Sequence, residues 1–254
     1  SEPSPGIDGD PRVAILIYNF NDPREDVDGS FNFRDIDPDG SPYTNRREML
    51  YLNLQALLNE PGLGPTLAAH EFTHLIAYYR DVMLDPSPYA ALESTWVTEG
   101  FTTYGEHVAG FDDRTQGQLL PFTRDPNFSL THWQGIRANY GASYSFMRYL
   151  AEREGPAFIR ALVEQPLDGA AGIDAALAGI GSGQTFASMF DDWVLAGLLD
   201  SHSPQLPPYC FDGLSIDIAP TPLLSTAPTR GEAEVIDYGA VYLDFPAAPA
   251  REQF

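Results

Sequence analysis

The chain has no lysine: all 14 of its basic residues are arginine, set against 36 acidic residues. The net charge of −22 offers no broad cationic surface, so nucleic acids and anionic membranes are not expected partners. A single cysteine, Cys210, excludes an internal disulfide and has no catalytic context, so a buried or loop thiol is expected there. No apolar run approaches the roughly 20 residues that span a bilayer, and no membrane insertion is expected. No repeat period is evident. With 43% hydrophobic residues in 254, a substantial core can form, as one large domain or two lobes.

Within that composition, one short stretch carries chemistry. His70-Glu71-Phe72-Thr73-His74 spells H-E-x-x-H inside the apolar run from Pro65 to Tyr79. Gly62-Leu63-Gly64-Pro65 is a good helix entry, with proline near the first turn. On a helix, residues four apart share a face, so both imidazoles can reach one metal ion. Glu71 beside them suits a general base, the pattern of a zinc metalloprotease. A core helix with two incidental histidines is the plainer alternative. A catalytic zinc takes three protein ligands and leaves one position open. The metzincin pattern needs Gly and then His after the second motif histidine, and Ala77 and Arg80 stand there instead. Glu93, Glu99, Glu106 and His107 are the nearby downstream candidates. His107 is read as a polar residue near a helix end, before Gly110. His132, in a loop, is read as a structural or surface residue.

Ser94 or Thr95 can cap a second helix, with Glu99 in its second turn. Trp96-x-x-Glu99-Gly100-Phe101-x-x-Tyr104 after H-E-x-x-H resembles the gluzincin clan, which includes thermolysin-like and aminopeptidase N-like enzymes. The resemblance implies zinc held by His70, His74 and Glu99, with Glu71 as general base. Within the clan the chain is most similar to the hyicolysin-type secreted bacterial proteases. The likeness rests on the strand-like Arg47–Asn53, on H-E-F-T-H-L-I with T-W-x-x-E-G, and on Tyr140-Gly141-Ala142-Ser143-Tyr144. It covers roughly residues 45–200 and implies secretion, with a peptide or protein substrate. The G-x-M-E-N segment of the aminopeptidase branch is absent, which favours an endopeptidase. A gluzincin aminopeptidase, or a non-catalytic protein with a structural zinc, stays open as an alternative.

The resemblance implies peptide hydrolysis, in which Glu71 takes the water proton and passes it to the leaving nitrogen. In the resembled families a tyrosine or histidine of the following helical lobe steadies the oxyanion. Tyr140 is the first candidate and Tyr144 the second; a pair of core aromatics on an amphipathic helix is the alternative. Asp35-Ile36-Asp37-Pro38-Asp39-Gly40 matches the opening of a calcium loop, D-x-D-x-D-G. The twelfth loop position is Arg46 rather than glutamate, so Asp35, Asp37 and Asp39 stand for calcium against an ordinary solvated turn.

The expected fold class is α+β. A zincin-like lobe, residues 1–115, carries a mixed sheet edge and the two ligand helices. A mainly helical lobe, residues 116–200, closes the cleft. A Pro-rich linker and small β appendage follow, residues 201–254. Arg12–Tyr18 reads as a buried strand, Asn21–Asn45 as an acidic loop, and Glu48–Leu54 as a strand that either lines the cleft as the sheet edge or runs inside the sheet. Helices are predicted over Ala138–Glu154, Pro156–Gln165, Ile173–Gly179 and Thr185–Leu199, and strands over Leu214–Ile218 and Val235–Phe245.

Overall fold

Two apolar runs and a short piece of the acidic stretch between them form a small mixed sheet. The computed structural model describes residues 7–21, 27–36, 42–84, 92–112, 114–200, 208–222 and 232–244. Strand β1 (Ala14–Tyr18) runs parallel to β3 (Met49–Asn53), and β2 (Gly29–Phe31) pairs antiparallel on its other side. The order β1-β3-β2 makes β3 the central strand. Two expectations change here. Of the two readings of Glu48–Leu54 the interior one holds, and the stretch read as an acidic loop contains a strand, β2, on the outside of the sheet. The apolar run of β1 is not buried: Ile15, Leu16, Ile17 and Tyr18 are 42–50% exposed. A continuous apolar run resembles a strand covered on both faces, but β1 is an outer strand, and the helix that carries His70 and His74 packs on β2 and β3 instead.

Asn53 ends β3 and starts the next element. Its Oδ1 accepts the Gln55 N–H at the entry to α1 (Leu54–Asn59), while its Nδ2 donates to the Val27 carbonyl. A short turn leads to α2 (Gly64–Tyr78), with Pro65 in the first turn as anticipated. Leu63 and Leu67 bury against Leu52 and Ala56, which seats α2 on the sheet. α2 then loosens into a π-helical turn, Tyr79–Met83.

The remaining helices are α3 (Thr95–Val108), α4 (Thr115–Arg124), α5 (Arg137–Glu154), α6 (Pro156–Glu164), α7 (Gly169–Ile180) and α8 (Phe186–Leu199). The four predicted over 138–199 are all present, the third starting four residues earlier. Among the described residues the class is α+β, with eight helices and a small sheet. α5 is the axis of the helical part, buried nearly all round from Ala138 to Ala151. Its small residues let neighbours close in. A Cβ at Gly141 would sit 2.2 Å from the Gln118 carbonyl oxygen of α4. Backbone cannot yield as a flexible side chain can, so Gly141→Ala is expected to cost about 3 kcal/mol. That corresponds to a melting temperature about 6–12 °C lower for a chain of this size, measured by calorimetry.

The described residues after Asp200 pack into the main core. Leu214, Ile216 and Ile218 alternate inward and are 1–8% exposed, joining Trp193, Phe211 and Tyr242 in the main core. The alternation that predicted a strand reports one-sided burial, not a ladder. The buried Asp200 carboxylate accepts the Phe211 and Ile216 N–H groups in place of a partner strand. Tyr242 donates to the Val194 carbonyl, and Arg148 and Arg153 donate to the carbonyls of Asp212 and Cys210. The only pairing here among the described residues is β4 (Thr221–Pro222) parallel to β5 (Leu243–Asp244). Cys210 is a buried thiol, as anticipated.

Candidate metal centre

α2 and α3 cross with their polar faces together. A Cβ at Gly105 would lie 2.3 Å from Thr73 Oγ1, so glycine there sets how closely α3 approaches α2. That approach brings His70 and His74 of α2 to Glu99 of α3. His70 Nε2 lies 3.2 Å from Glu99 Oε2, and His74 Nε2 lies 3.7 Å from Glu99 Oε1. One ligand atom from each of the three residues falls within 4.8 Å of the others, a spacing that could hold one metal ion. No other such cluster of histidine, cysteine and carboxylate groups is found among the described residues.

Glu106 completes the arrangement from below. It is fully buried, and its Oε1 is 2.7 Å from His70 Nδ1. With the Nδ1 proton given to Glu106, the His70 Nε2 lone pair points to the space shared with His74 and Glu99. Glu106 stands seven residues beyond Glu99, two turns along the same helix face. That periodicity was its available signal. The sequence offers Glu106 as a candidate ligand, and the structure makes it the partner of His70.

The electrostatics favour positive charge at this point. Burial opposes a charged His70, but the hydrogen bonds with Glu106 and Glu99 outweigh it and raise its pKa to about 10. Burial lowers the His74 pKa to about 4, with the Glu99 charge opposing. Burial pushes Glu99 up, but the His70 hydrogen bond and both histidine charges bring it below its usual value. Glu71 rises to about 7, chiefly by burial, with His70 opposing and the Glu99 and Glu106 charges adding to it. Three carboxylates thus converge on two imidazoles. The Glu106 Oε2 atom is buried without a hydrogen-bond partner. The donor set, its geometry and its surplus of negative charge all fit a divalent cation.

His70, Glu71, His74 and Glu99 line a cleft of about 590 Å³. Its walls are β2, α2, α3 and the start of α4 and α5, with Glu71 packed against the backbone of Gly29. Tyr140 lies on the cleft wall, its ring 4.8 Å from and edge-on to Trp133. Tyr144 does not: it is 1% exposed in the core, with its hydroxyl 3.4 Å from Arg148 Nη1. One helical turn along α5 separates the cleft residue Tyr140 from the core residue Tyr144, whose buried hydroxyl does not reach the cleft as an oxyanion donor would have to.

His107 turns away to Asp112, 2.7 Å distant, and His132 is exposed and off the cleft. Arg114 and Arg137 also line the cleft and were not anticipated. Arg114 bonds Asp28 beside β2 at 2.9 Å, a pairing across 86 residues that no local pattern announces. Of the calcium candidates, Asp35 is buried. It accepts the Asn45 N–H at 2.7 Å and the Tyr51 hydroxyl. Asp37 and Asp39 lie outside the described residues. No family model matches the chain, and no curated protein matches its sequence.

Proposed function

We propose that the chain is a zinc-dependent endopeptidase of the gluzincin type, with a zincin-like arrangement of β2, β3, α2 and α3 around its cleft. The observation that carries this reading is the convergence of His70, His74 and Glu99 on one point of a cleft that also holds Glu71. Zinc is the metal best suited to two imidazoles and one carboxylate. When bound, it supplies a Lewis acid that polarises the scissile carbonyl and acidifies water. Glu71 has the remaining chemistry within reach. Its burial favours the proton-accepting and proton-donating duty of a general base near neutral pH. Glu71 takes the proton of the attacking water as the new C–O bond forms. It then delivers that proton to the amide nitrogen as the C–N bond breaks. The Tyr140 hydroxyl donates to the oxyanion formed between these steps.

The 590 Å³ cleft is lined by β2, an outer strand of the sheet among the described residues, whose edge can pair with an extended peptide. An open cleft of this kind suits an internal peptide bond. The test is hydrolysis of an internally quenched peptide with acetylated N-terminus. Cleavage between internal residues, abolished by a chelator and restored by zinc, is the expected result. Cleavage only of peptides with a free amino terminus would favour an aminopeptidase. No chelator-sensitive cleavage of any peptide would leave a structural zinc.

Glu106 acts through His70 rather than on substrate, so Glu106→Gln is expected to weaken zinc binding by about 10–100-fold. Competition with a coloured chelator measures this, and unchanged affinity would remove Glu106 from the account.

A further inference from the structure

We infer that a second cavity beside the metal cluster is the pocket for a basic side chain of the substrate, with Glu93 as its anionic end. The inference rests on the peptidase reading above for its substrate, but on separate residues for its specificity. The cavity, about 230 Å³, opens off His74 and Glu99 and runs toward the π-helical turn after α2 and toward α6. Phe31, Phe33, Tyr78, Phe101 and Leu162 make walls that are mostly apolar. Glu93 and Asp81 also line it, and no arginine does among the described residues.

Glu93 is held in a fixed position. Its Oε1 accepts the Ser94 N–H at 2.6 Å and the Gly169 N–H at 2.7 Å. Among the described residues no group is bonded to its Oε2. Burial pushes its pKa up to about 7 against the two backbone hydrogen bonds, with the Asp168 and Asp81 charges adding to the rise. Among the described residues, a carboxylate so placed lacks a countercharge. An apolar side chain entering the pocket would desolvate it further without compensation. An arginine or lysine side chain matches both parts, its aliphatic stem against the aromatic walls and its cation against Glu93. The net charge of −22 steers basic peptides to the same molecule. A peptide's own α-amine has no such stem, and the walls of the pocket would be left unfilled.

The test separates binding from hydrolysis. Zinc-loaded Glu71→Gln protein is titrated calorimetrically with peptides acetylated at the N-terminus and amidated at the C-terminus. Two series place arginine, lysine, norleucine or glutamate on either side of the central bond. In one series arginine and lysine are expected to bind at least about 10-fold tighter than norleucine, and glutamate weakest. Adding Glu93→Gln should bring the arginine-to-norleucine ratio close to one. If that variant unfolds, Val82→Lys, which puts a cation on the pocket wall, should remove the preference instead. Equal binding of arginine and norleucine in both series, or no binding of any peptide, overturns the pocket assignment. So does a preference that survives loss of the Glu93 charge. The unsubstituted protein is then given the tightest arginine peptide. Binding without cleavage there would remove the peptidase reading and leave the pocket standing.

Discussion

Glu71→Gln is expected to keep its zinc and lose hydrolysis by about 100-fold or more, up to about 10,000-fold. Glutamine has nearly the shape of glutamate, so packing against Gly29 survives. The amide cannot accept a proton at neutral pH, so water attack and nitrogen protonation both lose their carrier. Zinc occupancy should not fall, because Glu71 is not among the three clustered ligand groups. Replacing one of the crowded buried carboxylates with a neutral group also lowers their mutual repulsion. The measurement is turnover on the quenched peptide beside zinc content of the same sample. Near-normal turnover with zinc bound would remove Glu71 as general base. Lost turnover with lost zinc would mean the residue acts on the metal site.

Tyr140→Phe is expected to reduce turnover about 100- to 1,000-fold with little change in the Michaelis constant. Only the hydroxyl is removed, and the ring contact with Trp133 remains. A donor that meets the oxyanion contributes more in the transition state than in the bound substrate, which is why the effect falls on turnover. Tyr144→Phe serves as the contrast. Its hydroxyl points into the core toward Arg148, so loss of turnover is not expected. Full activity of Tyr140→Phe would move the oxyanion donor elsewhere, with Arg137 on the same cleft the next side chain to test.

The parts of this site legible in sequence are those set by spacing along one helix. His70, Glu71 and His74 are fixed by a four-residue repeat, and α2 forms where that repeat lies. Glu99 needed a second motif 25 positions after His74, because the crossing of α2 and α3 is a tertiary fact. Tyr140 and Tyr144 could not be separated in sequence. They lie four residues apart, yet a helix buried nearly all round brings one to the cleft and the other to the core. Arg114 and Asp28 meet at the cleft through a contact 86 residues apart, and no local signal carries it. The same limit explains β1 and the C-terminal segment. Hydrophobic patterning says which side chains prefer burial, but not how many strands a sheet has or whether a one-sided segment finds a ladder. β1 stays at an edge for want of a further strand among the described residues. Leu214–Ile218 lies against helices, with Asp200 supplying the hydrogen bonds of a missing neighbour.

The central claim is that one zinc sits on His70, His74 and Glu99. Its most direct test is metal content by elemental analysis after dialysis against zinc and then buffer, in the parent chain, Glu99→Ala and His107→Ala. About one zinc per chain is predicted for the parent and for His107→Ala, and a strong loss for Glu99→Ala. A parent chain that holds no zinc, or a His107→Ala protein that loses it while Glu99→Ala does not, would contradict the account.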